Sequence, residues 1–247
     1  MPKKMDAIAL TNLVDELRTA HGENLASVVL YGSAAAGDHT GLRSDHNLLI
    51  ALKRITSEDL RLSQAPMREW QRLGQPMPVY FTVEELNDAA DVFPIEFLQM
   101  EQARKVLYGR DPFEFIKISR ANLRHQTEYE LRTKLIQLRR LYIPASTSIE
   151  KLSSLMSASL ASFAALFRAV LILHRQEPPI TKPDTVRATV RLLELDASPF
   201  ERIFELRAND RLSLTETEAN KVFAAYLTQI ERVIEVVDRI FRGRSDT

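Results

Sequence analysis

The sequence predicts an α/β domain over residues 1–112 followed by an all-α helical bundle over residues 113–247. Three observations lead there. Short apolar, β-branched runs alternate with helical segments up to about residue 110, the strand signal stops near 113, and long segments with 3.6-residue apolar periodicity follow. A chain of 247 residues gives each half enough length for its own core.

Residues 7–19 predict a first helix, with Ile8, Leu13 and Leu17 on its apolar side. Ser27 to Tyr31 is a short strand. Asp45 to Leu52 is a second, in which alternation sets Asp45, Asn47, Leu49 and Ala51 on one face and His46, Leu48, Ile50 and Leu52 on the other. Leu60 to Leu73 reads as helical, with Pro66 starting, kinking or dividing it and Gly74 ending it. Residues 78–82 make a third strand, after which Thr82 and Glu85 match the T-x-x-E box that opens a helix. A helix over Pro94 to Ala103 and a strand over Lys105 to Tyr108 complete this half. Beyond it, Leu131, Leu135, Leu138 and Tyr142 form one helical stripe. Thr147 with Glu150 opens another helix, and Ser198-Pro199 a third. Val222, Tyr226, Ile230, Val233, Val237 and Ile240 mark the last, for a bundle of four or five helices.

Lys plus Arg and Asp plus Glu both total 33, so the chain lacks the basic excess that long phosphate backbones select, which disfavours a nucleic-acid partner. Without cysteine there is no disulfide, thiolate nucleophile or sulfur-ligated zinc. The N-terminus carries two lysines but no long apolar core or cleavage pattern, and the cytoplasm is the expected compartment. Residues 155–173 are as long and apolar as a bilayer crossing, yet Arg168 and three serines interrupt them; they read as the buried centre of the bundle, with no membrane partner.

The chemistry concentrates in residues 28–52, VVLYGSAAAGDHTGLRSDHNLLIAL. Gly32 lets the backbone turn tightly beneath a phosphate, Ser33 adds a hydroxyl donor, and the following helical turn offers unpaired N–H groups. Asp45 could hold magnesium over the same phosphates. Positions 45 and 47 share a strand face and are placed as a pair of ligands, but the second is an amide.

These residues resemble the nucleotidyltransferase superfamily, which includes polymerase-beta-type and aminoglycoside nucleotidyltransferases. The shared pattern is G-S at 32–33, a loop with Gly37, then D-x-D on the next strand, which here reads Asp45-His46-Asn47. The resemblance covers residues 25–52 most closely and extends weakly to about 110. It implies a mixed, twisted sheet and transfer of a nucleoside monophosphate from an NTP to a hydroxyl of a small-molecule or protein acceptor, with two magnesium ions bridging the phosphates. It assigns nucleotide contacts to Gly32, Ser33, Arg43 and Ser44, and metal binding and catalysis to Asp45 and Asn47. The family anchors its metals with three carboxylates. A charge pair at about 4 Å is worth about 4 kcal/mol at an effective dielectric near 20, so the neutral amide at 47 is a large loss. The third acid comes from the next core strand, yet residues 78–82 contain none. Glu84 and Glu85 follow directly, and helix capping explains them better than metal binding. Three readings stay open: an active transferase, a nucleotide-binding or regulatory protein without turnover, and a scaffold acting through a partner.

Other candidates have plainer explanations. Asp38 and His39 are loop residues that could touch a nucleotide, though solvation alone accounts for them. In a regular strand His46 points away from Asp45 and reads as a packed or surface histidine rather than a ligand. Arg120 with His125 and Arg168 with His174 fit an R-x(4-6)-H spacing that resembles the ribonuclease motif of HEPN-type helical domains, a match that arises readily by chance in an arginine-rich chain. Arg132, Lys134, Arg139 and Arg140 read as a solvated helix face, or, if they border the Gly-Ser cleft, as a receiver of phosphates or an acidic substrate.

Overall fold

The structure is a computed structural model that describes residues 2–36, 46–208 and 214–240; the side chains of residues 2–7, 33 and 36 lie outside the described set. The chain divides into two compact units, 1–119 and 120–247. Phe113, Ile116 and Ile118 pack into the core of the first, carrying it past the Asp111-Pro112 step.

The first unit runs α1 (Pro2–His21), β1 (Leu25–Tyr31), a single turn α2 (Ser33–Ala36), β2 (Asn47–Leu52), α3 (Ser57–Leu62), α4 (Gln64–Arg72), β3 (Val79–Thr82), α5 (Val83–Asp88), α6 (Pro94–Gln102) and β4 (Arg104–Gly109). Pro66 falls in the first turn of α4, where a missing N–H costs nothing, and the helical stretch is divided at Ser63. The four strands lie in the order β3-β2-β1-β4. β1 is antiparallel to β2 and to β4, while β2 and β3 are parallel, so the sheet is mixed.

Both faces of the sheet are covered, which is why β1 and β2 read as nearly continuous apolar runs. On one face Val28, Leu30, Leu48, Ile50 and Leu52 pack against Leu13 and Leu17 of α1 and Met67 and Trp70 of α4. On the other, Val29, Leu49 and Ala51 meet Leu86, Phe97, Met100 and Phe113. Each large apolar side chain among them, fully buried, contributes about 1.5–3 kcal/mol. The alternation read from the sequence therefore divides β2 correctly between two cores.

The Thr82 capping box forms in full. Glu85 N donates to Thr82 Oγ1 at 3.0 Å and Thr82 N donates to Glu85 Oε2 at 2.7 Å. Replacing Thr82 by Ala is expected to cost about 1 kcal/mol, read as a lower denaturation midpoint of the fluorescence of Trp70. That residue, the chain's single tryptophan, reports on the first unit alone.

The second unit is a bundle of five described helices, α7 (Arg120–Ala145), α8 (Ile149–Leu173), α9 (Lys182–Leu192), α10 (Ser198–Ala208) and α11 (Glu216–Arg239). Helix α8 is long and apolar enough to cross a membrane, and its Leu152, Met156, Leu160, Phe163 and Phe167 are buried within the bundle. Phe200 contacts Phe167 and Tyr226 edge-on, and Tyr142 stacks on Phe223 with ring centroids 4.1 Å apart. The cap of α8 is Ser148, whose hydroxyl accepts from Lys151 N, and not Thr147. Ser148 has the extended backbone a cap requires, and this one-residue difference moves Glu150 to the second helical position.

Two histidines, one buried and one half-buried, set an acid limit on stability. Burial holds the His21 and His174 imidazoles below their ordinary value of 6.5; Asp59 offsets part of this at His21, and the charge of Arg120 adds to it at His174. Below about pH 6.5 the unfolded chain takes up protons that the folded chain refuses, so stability falls as the pH falls through that value. The thermal midpoint is expected to stay level above about pH 7.5 and to drop by about pH 5.5, and the drop should shrink in a variant lacking both imidazoles.

Candidate functional site

The end of β1 is built for a sharp turn. Gly32 adopts φ +81°, a left-handed conformation costly for any residue with a Cβ. Its N–H donates to Ala103 O at 2.9 Å, and its carbonyl accepts from Ala35 N at 3.0 Å, so the turn is clamped between the start of β4 and the first turn of α2. A Cβ on Gly32 would lie 3.3 Å from Asn47 Nδ2. The Asn47 side chain thus faces the glycine turn, as two residues brought together from opposite ends of a loop.

Strand register explains the meeting. Asn47 pairs with Tyr31, and Tyr31 pairs on its other side with Arg104 of β4, giving a polar row across three strands. Burial pushes the Tyr31 phenol up, keeping it a neutral donor. Arg104 is tied by Nε and Nη2 to Asp111 at 2.9 and 2.8 Å, lends another N–H to Glu101 O, and lies over the Phe113 ring. Neither Tyr31 nor Arg104 stands out in the sequence; the alternation that sets Val29 and Tyr31 on one face is the signal that points to the first of them.

Asp45, Arg43, Ser44, Gly37, Asp38 and His39 lie outside the described residues, as does the side chain of Ser33. His46 lies on the reverse face, 7% exposed. Its backbone N–H and Nδ1 both contact Gln75 Oε1, at 2.8 and 3.2 Å, and its ring meets Trp70 edge-on. It is a packed histidine.

The strand expected to supply a third acid does not bring one to this corner. β3 runs parallel to β2 with Leu49 opposite Val79 and Leu52 opposite Thr82. Glu84 and Glu85 follow Thr82, and at about 3.3 Å per residue the end of β2 lies roughly 16 Å from Asn47. Glu85 is engaged in the α5 cap. The described groups at the corner are an amide, a phenol and a paired guanidinium. Among the described residues no group of three or more His, Asp or Glu side chains could hold a metal ion. None of these described groups is a carboxylate, the ligand type a magnesium pair relies on.

The helical unit offers no competing centre among its described residues. Arg120 donates to Leu173 O and Arg168 to Pro179 O, which gives both arginines of the R-x-H spacings a structural role. Arg132 bonds Glu128 at 2.8 Å and Arg139 bonds Glu231 at 2.6 Å, so half of the basic cluster is paired on the helix surfaces.

No family model matches the chain, and no curated protein matches it in sequence. A search of solved structures finds similarity to the spectinomycin adenyltransferase AAD(9) from Enterococcus faecialis, solved with ATP and spectinomycin. The TM-score is 0.55 at 13% identity, over 91% of this chain and 98% of that one. The chain therefore has a nucleotidyltransferase fold followed by a helical bundle.

Proposed function

We propose that this protein binds an NTP at the Gly32-Ser33 turn and transfers its nucleoside monophosphate slowly or not at all. The observation that carries the reading is the side chain of Asn47, a neutral amide turned toward the glycine turn at a position where the resemblance expects a carboxylate. The fold likeness to an enzyme solved with ATP and a small-molecule acceptor supports the nucleotide half of the reading. The placement of Glu84 and Glu85 beyond the far end of β3 supports the second half, because it leaves Asp45 as the one acid the motif brings. With so little negative charge, two metal ions would not be held over the phosphates, and the transition state would lose its main electrostatic support.

Calorimetry with ATP, GTP, CTP and UTP on the full chain, with and without magnesium, tests the reading. At least one nucleotide should bind. Gly32→Ala should weaken it about tenfold, since the added methyl strains the φ of the turn and crowds Asn47. Pyrophosphate release with hydroxyl acceptors should be at or near background. If no NTP binds at millimolar concentration, the proposal fails; rapid release would restore the active-transferase reading.

A further inference from the structure

A cavity of about 440 Å³ opens on the face of the sheet opposite Asn47, between α1, α4 and the segment that leads to β3. Its floor is apolar and buried, made by Leu13, Pro66 and the indole of Trp70. Trp70 is held in place, because Nε1 donates to Pro76 O at 2.9 Å. This size and lining are those of a small-molecule site.

Two features give the cavity a chemical preference. His46 lines it while 7% exposed. Gln75 Oε1 already accepts the backbone N–H of His46, so it is the carbonyl oxygen and must accept from Nδ1–H as well. In the neutral ring the lone pair is then at Nε2, which has no hydrogen-bond partner among the described residues. The second feature is charge. Glu16 and Glu69 line the cavity, and among the described residues no lysine or arginine does. Glu69 is paired with Arg72, whereas Glu16 has no ion-pair partner among the described residues.

We infer that this cavity is a binding site for an aromatic amine that carries a hydroxyl. The ring lies on Trp70 and Leu13, the hydroxyl donates to His46 Nε2, and the ammonium faces Glu16. An acceptor left unmade once a ligand covers it is costly, so a donor in the ligand is selected for. The carboxylates exclude the anionic counterpart. Because His46 and Asn47 project to opposite faces of β2, this site is separate from the glycine turn and holds whether or not an NTP binds there.

The single tryptophan forms the floor, so its fluorescence reads occupancy directly. Tyramine titrated into the full-length protein should change Trp70 emission saturably. Phenethylamine, which lacks the hydroxyl, should bind about 2- to 10-fold more weakly. The acid 3-(4-hydroxyphenyl)propionate should give no saturable change. Glu16→Gln, a change on an exposed helix face, should weaken tyramine about tenfold. His46→Phe should remove the difference between tyramine and phenethylamine, with circular dichroism confirming the fold. No saturable response to tyramine, equal responses to all three probes, or an unchanged affinity in Glu16→Gln would each overturn the assignment.

Discussion

Asn47→Asp is expected to make NTP binding depend on magnesium. In the natural protein magnesium should change the affinity for NTP by less than about threefold; in the variant it should tighten binding by about 10- to 100-fold. The reasoning is electrostatic. A carboxylate beside the glycine turn adds a full charge about 4 Å from a bound cation, worth up to about 4 kcal/mol before solvent screening, and Asn47 is partly exposed. The substitution is nearly isosteric and keeps the position on β2, whose pairing with Tyr31 is a backbone matter. Calorimetry measures the change, and pyrophosphate release shows whether turnover comes with it. An identical magnesium response in the two proteins would show that position 47 has no part in cation binding.

Gly109→Ala is expected to destabilise the first unit by about 3 kcal/mol or more. Gly109 ends β4 at φ +77°, and a Cβ there would fall 1.9 Å from Ala26 O and 3.1 Å from Ser27 Cα. The obstacle is backbone, which cannot swing aside as a side chain would. The substitution must therefore separate β4 from β1 at Ser27, where Ser27 Oγ also donates to Tyr108 O at 3.0 Å. Strain at positive φ supplies about 1–2 kcal/mol of the loss, and the overlap supplies the rest. Denaturation followed by Trp70 fluorescence should show the first unit melting early. The second unit, followed by far-ultraviolet circular dichroism, should keep its own transition. A shift below about 1 kcal/mol would mean that the β1/β4 edge yields more easily than its geometry implies.

Much of the fold was legible because its local rules are short-ranged. The two-residue period of β2 separates the partners of Leu48 and Ile50 from those of Leu49 and Ala51, and both cores follow it. Thr82 and Glu85 announce a helix start through a box of four residues that needs no tertiary partner. At Ser148 the same logic fails by one residue, because Thr147 and Ser148 both carry hydroxyls and only the backbone conformation chooses between them. The row Asn47, Tyr31, Arg104 was not legible for a different reason. It depends on the register of three strands, and the β1/β4 register shifts at Val28 and Val29, which no linear period encodes. The glycine turn was readable from Gly32 itself; that Asn47 would close against it needed the antiparallel pairing.

The parallel pairing of β2 with β3 also determines which edit could turn this scaffold toward metal chemistry. Val79 stands beside Leu49, on the same side as Phe81 and two residues along from the level of Asn47, with 37% of its surface open to solvent. An acid written there would project from the neighbouring strand without emptying a core position, whereas one at Tyr80 would be driven into the opposite core. Position 79 is thus where an acid on the neighbouring strand could join an aspartate at 47 at little cost to either core.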